Sequence, residues 1–224
     1  MINFYETLPK HLQTKTIFDK NTQMKIPYRC LFVSPSGGGK TNTLLNMIHL
    51  QSGIFNYIVL VTPNAKEPLY MYLKENIGPD QFNIVEGLAN LKPPEHLVDN
   101  GHSLVIFDDI VTEKNQKMVE DYFVRARKIG ILKGGSVSLC YLSQSFYLTP
   151  ITIRRNINYI IINELSRRKD IVEIIKDYSL NTTKEELIKI FDKYTNGLLN
   201  FIMIDITAPP DKRLRHNFNE IIKI

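Results

Sequence analysis

The chain has 224 residues, 43% of them hydrophobic, which suits one domain with a full core and excludes a disulfide-dependent mini-protein. Its 28 Lys and Arg outweigh 23 Asp and Glu, giving a formal charge of +5, so the partner classes left open are none or a polyanion such as nucleic acid. Two cysteines, five scattered histidines, no apolar run near the ~18 residues of a membrane span and an N-terminus without an apolar core argue against a disulfide framework, a zinc site, a membrane protein and a secretory leader; a soluble, intracellular protein is expected.

Residues 1–27 read as an N-terminal extension, with "DKNTQMKIP" a polar loop leading into the first strand. Strands are expected over Tyr28–Val33, Tyr57–Thr62, Leu104–Asp108, Val137–Ser143, Tyr159–Asn163 and Leu199–Ile206. Helices are expected over Lys40–Gln51, Glu67–Ile77, Glu113–Lys128, Arg168–Tyr178 and Thr183–Tyr194, the last opening on "TTKEE" with a Thr cap and early acids. Runs such as "YIVLV", "SLVIF" and "YIIIN" do not alternate, as befits parallel strands covered on both faces. The alternation of strands and helices predicts an α/β fold, a mainly parallel sheet sandwiched by helices, with no clear domain boundary and with 164–224 completing the domain. Cys30 and Cys140 fall within apolar strand runs and read as small core residues.

The first strand runs into "SPSGGGKT" and then an apolar-faced helix, the context of a phosphate-binding loop. Gly37, Gly38 and Gly39 let the backbone curl around one anion, and the helix N-terminus adds its positive dipole end. In that pattern Ser36 to Gly39 cradle phosphate, Lys40 reaches the β- and γ-phosphates, the Thr41 hydroxyl ligates Mg²⁺ and the Asn42 N–H faces the α-phosphate. Ser34 stands where the pattern has its first Gly, the least demanding position, since Ser tolerates turns.

"SLVIFDDI" then supplies an apolar strand ending in two acids: Asp108 to position Mg²⁺ and Asp109 to polarise the attacking water. Two carboxylates at a strand end also serve as a simple helix cap, a reading that the phosphate loop makes less attractive. "SVSLCYLSQS" ends a further strand in Ser143-Gln144, and in P-loop folds with an extra strand between the loop strand and the acidic strand this end lies beside the γ-phosphate, where Gln144 senses phosphate or orients water. Arg125 and Arg127 precede that strand and Arg154 and Arg155 follow it, candidates to spread positive charge over the transferring phosphoryl group; the cluster of Arg125, Arg127 and Lys128 reads alternatively as a DNA-facing patch.

Together "PSGGGKT", "LVIFDDI", the arginine-bearing segment before "LCYLSQSFYLTPITIRRN" and "YIIIN" resemble the FtsK–HerA superfamily of ring-forming DNA-pumping ATPases, closest to the poxvirus-type genome-packaging ATPases of large DNA viruses and virophages. The four segments span residues 29–163. The resemblance implies a RecA/FtsK-like P-loop fold, ATP and Mg²⁺ as ligands with Lys40, Thr41 and Asp108 on them, Asp109 as base, Gln144 as γ-phosphate sensor, and an arginine finger from Arg125 or Arg127 acting in trans. It further implies a homo-oligomeric ring, often hexameric, that moves double-stranded DNA without regard to sequence at a capsid or portal vertex, in host cytoplasm, a viral factory or the virion. Two departures stand out: Ser34, and Arg125-Ala126-Arg127 where the family often has a Gly-Arg pair. The alternatives are a P-loop nucleoside or nucleotide kinase, which Asp108-Asp109 followed by Ser143-Gln144 fits less well, and a non-hydrolysing, nucleotide-responsive assembly module, for which Ser34 is the sole support. "PPDKRLRHNF", with Lys212, Arg213, Arg215 and His216, reads as a solvated basic loop or a DNA contact.

Overall fold

The structure is a computed structural model, and it describes residues 2–96, 101–126, 128–131, 134–165, 168–178, 180, 182–197 and 199–223. A short antiparallel hairpin, β1 (Ile17–Asp19) and β2 (Met24–Ile26), precedes the main sheet. The polar loop expected there holds the turn of this hairpin but also its second strand: Met24 and Ile26 are fully buried in the core, a pull that the polar residues around them conceal.

The main sheet contains β3 (Arg29–Val33), β4 (Tyr57–Thr62), β5 (Phe82–Glu86), β6 (His102–Asp108), β7 (Ser136–Ser143), β8 (Tyr159–Ile162), β9 (Ile202–Asp205), β10 (Leu214–His216) and β11 (Glu220–Ile221). Their order is β11-β10-β9-β8-β3-β7-β6-β4-β5. From β8 to β5 every pairing is parallel, and β9, β10 and β11 extend the sheet antiparallel. β7 lies between β3 and β6, which is the inserted-strand arrangement expected for Gln144. All eight residues of β7 are buried, so its sequence shows no alternation.

Helices cover both faces. α1 (Lys40–Leu50) and α2 (Pro68–Ile77) bury Leu44, Met47, Tyr70 and Leu73 with Cys30, Phe32 and Leu60 on one side. On the other, α3 (Gln116–Arg125), the short α4 (Ile151–Arg154), α5 (Arg168–Tyr178) and α6 (Lys184–Tyr194) pack on Leu31, Val33, Phe107 and Tyr141. Thr183 and Glu186 form the reciprocal capping box that starts α6, as "TTKEE" predicts. α3 starts later than its expected Glu113, because a 3-10 turn at Ile110–Thr112 intervenes and Glu113 stays extended while its side chain accepts the Leu88 N–H (2.7 Å).

Besides the hairpin strands β1 and β2, three strands of the main sheet have no counterpart in the sequence reading. β5 is an edge strand and half-exposed; β10 and β11 are short. The basic segment is not a solvated loop throughout: a 3-10 turn at Pro210–Lys212 leads into β10, Arg215 pairs with Asp205 (2.6 Å) and Arg213 donates to the carbonyls of Ala208 (3.0 Å) and Tyr178 (2.9 Å). Cys30 and Cys140 are register partners on β3 and β7, both free and both buried. No helix among the described residues is long and apolar enough to cross a membrane.

Candidate active site

The ends of β3, β7 and β6 lie at one edge of the sheet, and the candidate residues gather there. Gly39 is the N-cap of α1 with φ 92°, and Gly37 has φ 77°, left-handed conformations that favour glycine. No side chain caps α1 and its first turn carries no acid, so its N–H groups remain available to an anion. The Lys40 ammonium is buried beneath the loop and donates to the carbonyls of Ser34 (2.8 Å) and Pro35 (3.2 Å). Ser36, Gly37, Gly38 and Gly39 form the bend over it, and Thr41 and Asn42 open the helix.

Ser34 is fully buried, its backbone N–H donates to Ser143 O (3.2 Å), and its hydroxyl has no partner. A Cβ added to Gly38 would run into that hydroxyl. Gly38, unlike its two neighbours, is not in the left-handed region, so its lack of a side chain makes room for Ser34 and is not needed for conformation. The departure at Ser34 is thus accommodated within the loop itself.

Asp108 ends β6, nearly buried, and its Oδ2 accepts the Tyr70 hydroxyl at 2.5 Å. Tyr70 of α2 thus ties the start of that helix to the end of β6. Asp109 follows with φ 50°, a left-handed turn that Asp tolerates better than most residues and that breaks the strand at the acid pair. Across the end of β7, the Gln144 side-chain amide reaches Asp109 Oδ1 at 3.5 Å. Thus Lys40, Thr41, Asp108, Asp109 and Gln144, spread over 105 positions of chain, come together at one edge.

The electrostatics are those of a site short of positive charge. Burial raises the Asp108 carboxyl to about 6, with Asp109 and Glu67 adding to the rise and the Tyr70 hydrogen bond and Lys40 opposing it. Burial likewise lowers the Lys40 ammonium, against the pull of Asp109, Asp108 and Glu67. Burial also raises Tyr70, reinforced by Asp108. Glu67 and Tyr70 were missed by the sequence reading. "AKEPLY" shows only an acid before a helix and a tyrosine on its apolar face, and neither carries a motif.

Among the described residues, the candidate arginines are not gathered with this set. α3 leaves the acidic end of β6 and returns toward the start of β7, so Arg125 in its last turn lies at the far edge of the sheet, half-exposed and paired with Glu95. Arg127 lies outside the described residues. Arg154 is held by Asp177 (2.9 Å) and lies over the Phe146 ring at 4.9 Å, and Arg155 is exposed. The turn after Gln144 is pinned by buried Asp170 of α5, which accepts from the Ser145 hydroxyl (2.8 Å) and the Tyr147 N–H (2.9 Å).

These residues fit a nucleoside triphosphate with Mg²⁺. The glycine bend, the uncapped helix and Lys40 suit phosphate. Thr41 at the start of α1 and Asp108 at the end of β6 offer one hydroxyl and one carboxylate, which suits an ion shared with phosphate oxygens and water.

Residues 15–204 match the family described as the poxvirus A32 protein. No curated protein sequence matches the chain. Among solved structures, the fold is similar to B204, the DNA-packaging ATPase of Sulfolobus turreted icosahedral virus, with a TM-score of 0.60 at 14% identity over 88% of this chain and 98% of that one. It is similar to the genome-packaging NTPase B204 of Sulfolobus turreted icosahedral virus 2 in complex with ATP-gammaS, with a TM-score of 0.59 at 13% identity and the same coverages. The conjugation coupling protein TcpA of pCW3 gives 0.53 at 14% identity, over 88% of this chain and 62% of that one. These likenesses establish the P-loop α/β fold expected from the sequence.

Proposed function

The chain belongs to the poxvirus A32 protein family, and from that premise we propose that it is an ATPase that drives double-stranded DNA into a viral capsid. The observation that carries this reading is the meeting of Lys40, Asp108, Asp109 and Gln144 at one sheet edge, with Gln144 delivered by the strand between the other two. A kinase needs the phosphate loop but not an acid–amide pair facing it. The Sulfolobus virus proteins of similar fold, described as packaging NTPases and seen with ATP analogues, support the same choice.

On this reading Ser36 to Asn42 wrap the phosphates, and Lys40 exchanges its two loop carbonyls for phosphate oxygens. Thr41 and Asp108 hold Mg²⁺, which when bound neutralises phosphate charge and orients the γ-phosphoryl group. Asp109 takes the proton of the attacking water and Gln144 fixes the water or the γ-phosphate. Positive charge for the transition state comes from a neighbouring copy in a ring, from Arg125 or Arg127. The Arg125–Glu95 pair is exposed, worth roughly 0–1 kcal/mol, and so is readily released to a partner. DNA is followed through its phosphates without base readout, at a capsid or portal vertex.

The test is the rate of phosphate release from ATP with and without duplex DNA, for wild type and Lys40→Ala. A DNA-stimulated rate that Lys40→Ala abolishes supports the motor. A rate indifferent to DNA overturns translocation, and transfer of phosphate to a nucleoside without free phosphate overturns hydrolysis.

A further inference from the structure

The fold brings a third carboxylate near Lys40 of the phosphate loop, and we propose that Glu67 positions the attacking water in ATP hydrolysis, beside Asp109. The inference rests on the hydrolytic reading above and extends it to a residue outside the motifs that define it.

The placement follows from topology. β4 lies beside β6, with Val61 opposite Phe107, so the chain leaves β4 next to Asp108. It then turns into α2, whose start is held in place twice: Pro68 occupies the first helical position, and Tyr70 donates to Asp108 at 2.5 Å. The Tyr70 N–H bonds the Glu67 carbonyl at 3.0 Å, so the helix start that carries Glu67 is tied to the end of β6.

Glu67 is the N-cap residue of α2, yet its side chain caps nothing. Ser, Thr, Asp and Asn serve that purpose and Glu does so poorly, so what the helix draws from this carboxylate is the dipole attraction open to any acid at a helix start. The side chain is half-buried and within electrostatic reach of both Lys40 and Asp109: burial and Asp109 push its carboxyl up and Lys40 pulls it down. Asp109, just after β6, and Glu67, at the start of α2, thus both act on the same ammonium.

That arrangement assigns a role. In hydrolysis the water oxygen bonds to the γ-phosphorus while the bond from phosphorus to the β–γ bridging oxygen breaks, its electron pair leaving with ADP. One water proton passes to Asp109. Glu67 accepts the hydrogen bond of the other O–H and stays ionised, so it orients without taking part in the proton balance. Glu67 also adds negative charge near the place where phosphate binds, so its neutralisation favours nucleotide binding while it disfavours turnover.

The experiment compares wild type, Glu67→Gln, Glu67→Ala and Asp109→Asn, measuring kcat, the dissociation constant for Mg²⁺–ATPγS, and Tm. Glu67→Gln is expected to lower kcat about 10–100-fold, the usual cost of a mispositioned reactant, with ATPγS bound as tightly as by wild type or tighter and Tm unchanged. Wild-type kcat in Glu67→Gln and Glu67→Ala, alongside a dead Asp109→Asn, overturns the proposal and leaves the hydrolytic reading standing. Parallel losses of kcat, binding and Tm also overturn it, because they mark a structural role. A wild-type protein that binds ATPγS but never releases phosphate from ATP overturns both.

Discussion

Across the parallel part of the sheet, from β8 to β5, six strands end at one edge, and the polar groups gathered there are short of partners. The Ser34 hydroxyl and one oxygen of Asn163 are buried without a hydrogen bond, Lys40 leans on two carbonyls, and Asp108 is held by one phenol. In the antiparallel flank, β9 to β11, the charges are matched: Asp205 takes Arg215 and both donors of Thr207, and His216 meets Glu220 at 2.8 Å. Parallel strands bring their C-terminal ends, and whatever chemistry sits on them, to one place, whereas antiparallel strands send alternate ends to opposite edges. The unsatisfied edge is where a ligand completes the structure, and the satisfied flank is where the structure completes itself. Substitutions at the first should damage activity and spare stability, and those at the second should do the reverse.

The largest expected effect is at Lys40. Lys40→Ala removes a buried cation on which Asp109, Asp108 and Glu67 all act. Loss of phosphate-stabilising charge costs at least about 10²–10³-fold in turnover. Saturating ATP raises a binder's stability by about 2.7 kcal/mol at a hundred times the dissociation constant, and that thermal shift should vanish in Lys40→Ala while the Tm without nucleotide holds. A Tm that falls with activity would erase the contrast drawn here.

The flank supplies the opposite case. Asp205→Ala leaves Arg215 as an uncompensated, largely buried charge. Breaking such a pair costs about 3–5 kcal/mol, which for a domain of this size lowers Tm by roughly 10 °C. The ATPase rate below the new Tm should stay within about twofold of wild type, since Asp205 ends an antiparallel strand paired with the start of β8, away from the loop. Calorimetry and turnover on the same sample decide it.

Asp108 sharpens the comparison through pH. Burial holds its carboxyl near 6 in the folded chain against an ordinary 3.8, so its ionised form destabilises the nucleotide-free fold. The full cost, about 3 kcal/mol, is present above pH 6, shrinks as pH falls from 6 toward 4, and is gone below. Asp108→Asn should therefore raise Tm at pH 7.5, with the gain fading by pH 4, while ATP hydrolysis is lost. An equal Tm for the two proteins across that range would show that the edge carries no such strain.

How far these features were legible in the sequence follows the same division. β3, β4, β6, β7 and β8 are covered on both faces, so each is written as a run of apolar residues, and the loop is contiguous and spaced by its chemistry. β5 at the sheet edge is half-exposed, and "FNIVE" lacks both signals. β10 hides in a basic segment because Arg213 and Arg215 turn inward to carbonyls and a carboxylate that only the fold brings near. Tyr70 and Glu67 were illegible for a related reason: each gains meaning from Asp108, Asp109 or Lys40, about 30 to 40 positions away in the chain.

The smallest expected effect tests the loop's own departure from its pattern. Ser34 fills the space that a Cβ at position 38 would need, so the two residues are one steric unit. Ser34→Gly alone deletes an unpartnered buried hydroxyl and should be nearly neutral in stability. Gly38→Ala alone forces the overlap, at about 1–3 kcal/mol of overpacking, and should weaken ATP binding as the bend shifts. In the double variant the overlap with Ser34 is gone, leaving a tight 3.3 Å approach to the Pro35 carbonyl that a shift of a few tenths of an ångström relieves. Most of the binding and stability lost in Gly38→Ala should return. A coupling energy near zero in that cycle would mean that Gly38 serves the phosphate directly and that Ser34 is merely tolerated.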